Sequence, residues 1–359
     1  MAQPWSRRLT VVAGAVLVLV LLAAAAVVGL RWWQDRSRTD LERAMGYAPA
    51  ETVRFSWTDW AAVRAELGSD VDASSSPDEV ETFLGDGYDA DLTSGSAMVE
   101  SASLLQERYG FSPADVDWEL LGQSDTGSVL ILGLPDDLDA GELGDAFESL
   151  GYERPDKDTG VWTGGEDLLG TIGAGGSISP QFQYLALDPD NHLLLASDSA
   201  PYLRDAVADL DDDLGDEGLS DVADAVGEPL SAAVYSGAFA CKSLAMAQAD
   251  EDDQAAADQL LSQAGGVDPM TAFAMAAEPN GQVLVAMSFE NDDQARRNAD
   301  SRAQLAAGPA VGQGGDFADR FDLGKVTADG RVVTMRLDPV EDNPVLSDLS
   351  TGPVLFATC

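Results

Sequence analysis

Carboxylates are the residues of this sequence whose spacing could do chemistry. Asp89, Asp91, Thr93 and Glu100 stand at positions one, three, five and twelve of a twelve-residue calcium loop, with Ser94 where that loop turns on glycine. Asp70, Asp72, Ser74 and Glu81 make the same partial match, with Ser75 at the glycine position. Asp209, Asp211, Asp212, Asp213 and Asp216 form the densest cluster and follow no template. Calcium, a hard cation with oxygen ligands, is the one cofactor the sequence invites. Among 63 acidic residues such spacings arise readily, and a solvated surface is the simpler account of most of them.

Other chemistries lack their parts. The single histidine, His192, follows the turn Asp188-Pro189-Asp190-Asn191, and no G-x-S-x-G elbow accompanies it, so Ser-His-Asp and Cys-His catalysis are not expected. Zinc bound by His or Cys is disfavoured by the same count. No phosphate-binding G-x-x-x-x-G-K-[ST] is present, and Gly170–Gly176 lacks dinucleotide-binding spacing, so Gly164–Ser177 reads as a flexible loop. A pair of carboxylates could serve a glycan hydrolase, with Trp57, Trp60, Trp118 and Trp162 as a sugar platform or, more simply, as core residues. Arg54 and Arg64 stand out against the acidic background and read as salt-bridged surface positions.

The formal net charge is −43, and all acidic residues lie beyond residue 30. Such a field repels nucleic acid and attracts cations and basic partners, which excludes nucleic-acid binding.

These features hang on an anchor. Residues 9–30 carry no charge and one polar residue, Thr10, which is enough helix to cross a hydrocarbon core of about 30 Å at 1.5 Å per residue. Trp5, Arg7 and Arg8 flank one end and Trp32 and Trp33 the other, as membrane-interface residues do. The reading is a cytoplasmic stub over 1–8, a transmembrane anchor over 9–30 embedded in the lipid bilayer, and a juxtamembrane segment over 31–50. A cleaved export signal is the competing reading, since Ala23–Ala26 offer a small-residue cleavage site. The arginines beyond the span favour a cytoplasmic domain by count, yet long domains translocate largely regardless of flanking charge, so the domain is expected outside the membrane.

Beyond the anchor, strand-like runs alternate with amphipathic helices, an α+β pattern. Asn280-Gly281 and Asp329-Gly330 are two-residue hairpin turns. The order strand, helix, hairpin, helix, hairpin, helix occurs twice, which predicts a duplicated α+β ectodomain of antiparallel sheets with helices packed on one face. Its expected parts are a first lobe over 51–210, an acidic linker over 211–228 and a second lobe over 229–359. Asp70–Ser96 reads as an exposed insertion, and Val354–Thr358 as a final strand. Cys241 and Cys359, an even pair in an exported domain, predict one disulfide that pins the C-terminus.

An N-terminal anchor followed by TVRFSWTDWAAVRAELG and an ending in PVLFATC resembles uncharacterised membrane-anchored exported proteins of actinobacteria. The resemblance implies no activity and carries over no functional residues. The expectation is a non-enzymatic, extracytoplasmic binding or scaffold protein of the cell envelope whose partner is an envelope protein or another cationic species. A carboxylate-dependent hydrolase and a calcium-stabilised structural protein are the alternatives.

Overall fold

Apolar runs bounded by Gly, Pro, Asn and Asp set the strands of this protein. The structure, a computed structural model, describes residues 38–157, 159–208, 210, 213–341 and 343–359. The expected anchor 9–30, its flanks Trp5, Arg7, Arg8, Trp32 and Trp33, and Asp209, Asp211 and Asp212 lie outside the described residues. Among those described, no helix is long and apolar enough to cross a membrane. Asp40–Cys359 forms one compact unit.

The first half of that unit runs α1 (Asp40–Gly46), β1 (Arg54–Thr58), α2 (Trp60–Glu66), α3 (Pro77–Asp89), α4 (Ala102–Leu104), the hairpin β2–β3 (Trp118–Gln123, Ser128–Gly133) and α5 (Ala140–Leu150). It continues with β4 (Val161–Thr163), α6 (Gly165–Ile172), the hairpin β5–β6 (Tyr184–Asp188, Leu193–Ser197), α7 (Ala200–Ala208) and α8 (Glu217–Val226). The second half runs β7 (Ser231–Ser236), α9 (Gly237–Ser243), α10 (Glu251–Gln263), the hairpin β8–β9 (Ala272–Ala277, Val283–Ser288) and α11 (Asp292–Ala306). The hairpin β10–β11 (Phe321–Asp329, Val332–Pro339) and α12 (Val345–Thr351) end it.

The strands of both halves join in one 11-stranded antiparallel sheet of order β10-β11-β9-β8-β7-β1-β2-β3-β6-β5-β4. Outward from the central pair β1–β7 the order is β1-β2-β3-β6-β5 on one side and β7-β8-β9-β11-β10 on the other, with β4 appended to the first. The register repeats as well. Ser56 faces Ala233 at the centre; from Ser56 the partners run Leu121, Leu130, Ala196, Leu185, and from Ala233 they run Met275, Val285, Met335, Val326. Each central strand leads into a helix capped the same way: Asp59 accepts from the Ala62 amide and Ser236 from the Phe239 amide, the third helical residue in each case.

Helices cover both faces of this sheet, which corrects the expectation of one. Leu41 and Met45 of α1, Leu203 of α7 and Val222 and Val226 of α8 pack with Phe55, Trp57 and Ile131 on one face. The larger core, on the other, holds Trp60, Phe83, Tyr109, Phe147, Phe273 and Phe356. The reason is in the strands: SVLILG, AFAMAA and VLVAMS are apolar at odd and even positions alike, so neither side can be left to water.

Local structure also departs from the sequence reading. Gly164–Ser177 contains α6, whose Leu169 and Ile172 are buried. Asp70–Ser96 contains α3, which starts on a capping box between Ser76 and Glu79 with Pro77 in the first turn and buries Val80, Phe83 and Leu84. In place of a final strand, Leu355–Ala357 forms a 3₁₀ turn. Within the stretch read as an acidic linker, α8 buries Leu219, Val222, Ala223 and Val226.

Cys241 on α9 and Cys359 form a disulfide, with Cα atoms 5.5 Å apart and a separation of 118 positions in sequence. Arg302 of α11 reinforces it from the core. Fully buried, its guanidinium donates to the Phe356 and Asp268 carbonyls and to Asn298 Oδ1 and lies over the Phe289 ring. Burial lowers its pKa to about 9, with Asp268 acting in the opposite sense.

A candidate binding cleft at the end of helix α3

The last turn of α3 carries the chain to a place where the two halves meet. Gly87 and Leu84 face the core there, while Tyr88 stands out from the surface, 66% exposed. Asp91 follows in the left-handed conformation at φ 58°, which turns the chain sharply away from the helix. Its carboxylate accepts from the Leu346 amide at 2.6 Å, the Ser347 amide at 3.2 Å and the Ser347 hydroxyl. A residue of the first half thus caps α12 of the second. Burial raises the Asp91 pKa above the usual carboxylate value, and the Ser347 and Leu346 hydrogen bonds oppose it.

The same loop is held at its far end by Glu119 of β2. This fully buried carboxylate accepts from the Trp60 indole at 2.9 Å, the Ser96 hydroxyl at 2.8 Å and the Ala97 amide at 2.7 Å. Burial pushes its pKa up to about 7 despite those three donors. Residues 91–97 are therefore fastened at one end by half-buried Asp91 and at the other by buried Glu119.

Between this loop and the C-terminal segment lies a cleft of about 560 Å³. Leu92, Val283, Pro339 and Leu346 supply apolar walls, and Asp89, Glu341 and Asp348 supply charge. Tyr88 and Val340, the two exposed large hydrophobic side chains among the described residues, both line it. Asp348 is paired with Arg320 at 2.9 Å. Sequence reasoning missed Tyr88 and Val340. The one available signal was the position of Tyr88 on the Val80–Leu84 stripe of α3, which marks an apolar face continuing past the core.

The residues singled out from sequence do not converge. Asp89 lines both the cleft and the neighbouring groove that Glu100 borders, Asp91 lines the cleft but is engaged by α12, and Thr93 is buried. Asp72 accepts from Ser74 within its own turn. Asp213 accepts from the Gly215 amide in an acidic hollow where Arg331 is bound to Glu217 and Asp221. Among the described residues no group of three or more His, Cys, Asp or Glu is arranged to hold a metal. His192 sits in its turn at φ 55°, 3.9 Å from exposed Asp136. The tryptophans do not make a platform: Trp57 stacks on Trp118 at 5.4 Å, Trp60 is buried on Glu119, and Trp162 packs edge-on to Phe147 beneath Arg154. Arg64 donates to the Pro113 and Val116 carbonyls, and Arg54 lies over the Tyr235 ring, so neither is a simple surface ion pair.

No protein-family model and no curated protein matches this chain. Among solved structures, crystal form I of TP0453 is similar over 86% of this chain and 96% of its own, at 7% identity and a TM-score of 0.38. A likeness that distant carries no argument about function.

Proposed function

We propose that this chain is a non-enzymatic binding or scaffold protein of the cell envelope, held to the bilayer through residues 9–30 with its folded unit outside, and that it holds a protein partner in the cleft between Tyr88 and Val340. The observation that carries this reading is the coincidence of those two exposed apolar side chains at one cleft. An isolated exposed hydrophobe is ordinary, whereas two at the rim of one concavity are what a contact site presents. The disulfide supports an oxidising location, since such bonds persist outside the cytoplasm. The duplicated order of the halves supports a scaffold in which the cleft forms where α3 of one half approaches the C-terminal segment of the other.

The test is photo-crosslinking in living cells from a benzophenone amino acid placed at residue 88, at residue 340 or at the exposed turn residue Asp125. The expected result is one adduct common to positions 88 and 340 and missing from 125. Identical adducts from all three positions, or none from the first two, would remove the cleft as a contact site.

A further inference from the structure

Tyr88 divides two hollows, and the second says what kind of partner fits. Behind Tyr88, a groove of about 570 Å³ runs between α3 and the segment from Val99 to Gln106. Along it α3 presents exposed Pro77 and Tyr88, three helical turns apart, with the buried side chains of Val80 and Leu84 beneath them at spacings of three and four residues. At 1.5 Å per residue that stripe is about 16 Å long, or three helical turns. Gly85 lies on the same wall, and a Cβ built there would meet nothing within 4 Å. A glycine inside a helix weakens it; here it keeps the wall open to close approach.

The charge around both hollows has one sign. No Lys, Arg or His lines either of them. Glu81 on α3 and Glu100 on the opposite wall border the groove, and Asp89 and Glu341 border the cleft, all exposed and none in an ion pair among the described residues. An apolar trough with unpaired carboxylates on both walls matches the face of an amphipathic helix that carries Lys or Arg beside its apolar stripe.

We propose that the groove binds a cationic amphipathic helix of the partner protein, about three turns long, its apolar residues against Pro77, Tyr88 and Val99 and its basic residues toward Glu81 and Glu100. This rests on the binding reading above and names the partner's class.

The experiment uses the full chain in nanodiscs of zwitterionic lipid, so that the bilayer does not attract the probe. The probe is a labelled 14-residue peptide with Leu at helical spacing and Lys elsewhere, compared by fluorescence anisotropy with a scrambled peptide of equal composition and with a Glu-for-Lys version. The ordered Lys peptide is expected to bind about tenfold or more tighter than the scrambled one, and the Glu version not to bind. Gly85→Trp, which fills the groove where there is room, should abolish binding without lowering the melting temperature. Should that variant melt early, the exposed double change Glu81→Lys with Glu100→Lys serves instead, and it should exchange the preference from the Lys to the Glu peptide. Equal binding of ordered and scrambled peptides, or undiminished binding to Gly85→Trp or to the double variant, would overturn the proposal. If crosslinks from residues 88 and 340 appear while the peptide fails, the cleft reading stands and the helix is discarded; if neither appears, both fall.

Discussion

Asp91 and Ser347 are 256 residues apart in sequence, yet the carboxylate of the first accepts both the amide and the hydroxyl of the second. This contact and the Leu346 amide bond fix the entry of α12 beside the cleft. Asp91→Ala leaves those donors unmet and should cost about 1–2 kcal/mol, as loss of a helix cap does. Faster amide exchange at residues 345–351, with β3 unaffected, is the expected local signature.

Glu119 predicts the direction of the pH response. Its folded pKa, about 7, lies above the ordinary 4.5, so the fold takes up this proton more readily than the unfolded chain does. Stability from this group is therefore greatest below 4.5, falls as pH rises from 4.5 toward 7, and is lowest above 7. At 1.4 kcal/mol per pH unit the span is about 3 kcal/mol. Burial raises Asp59, Asp91, Asp115 and Asp117 in the same direction. The melting temperature should rise on moving from pH 8 to pH 5, and Glu119→Gln should flatten that rise. A wild-type curve that falls over this interval would contradict the assignment.

Two glycines should respond oppositely to alanine. At Gly85 the added methyl meets open space in mid-helix, so Gly85→Ala should stabilise by about 0.5–1 kcal/mol. At Gly237 the methyl would lie 2.0 Å from the Met270 carbonyl oxygen, where α9 leaves β7, and backbone must move. Gly237→Ala should destabilise by about 3 kcal/mol or more. Urea unfolding of both variants measures the contrast.

How much of this was legible beforehand depends on the range of each interaction. The β8–β9 hairpin was visible because Asn280 and Gly281 adopt φ of 70° and 76°, which their residue types announce, although the connection is a 3₁₀ turn over Pro279–Gly281 closed by the Glu278 amide and Gln282 carbonyl rather than the expected two-residue turn. The Cys241–Cys359 bond was visible because two cysteines allow one pairing. The fusion of both halves into one sheet was not, since nothing in RFSWT or SAAVYS declares that Ser56 will face Ala233. Helix α6 was hidden because its glycines outweighed the pair Leu169 and Ile172. The cleft was hidden for the same reason as the fusion: Tyr88 and Val340 meet only through tertiary structure.

The C-terminal segment offers a redox measurement. Closing a loop across 118 residues removes chain entropy worth about 4–5 kcal/mol from the unfolded state. Reduction should lower the denaturation midpoint accordingly, and Cys241→Ser should reproduce the effect without reductant.

Arg302 should prove hard to replace. Removing its guanidinium strands the Phe356 and Asp268 carbonyls in the core, at about 1–3 kcal/mol for each unmet acceptor. Arg302→Leu should lose about 3 kcal/mol, and Arg302→Lys should recover only part, because an ammonium lacks the fork that reaches three acceptors. Calorimetry of the pair separates charge from geometry.

The position of β1 has a mechanical meaning. It lies in the middle of the sheet, bonded along its whole length to β2 on one side and β7 on the other. Under the proposed anchoring, tension on the folded unit would pass along the chain through α1 to this strand, the first of the sheet in sequence. It must then shear two ladders at once, where a load on an edge strand would peel one bond at a time. The anchor proposed over residues 9–30 would pull this fold from its centre.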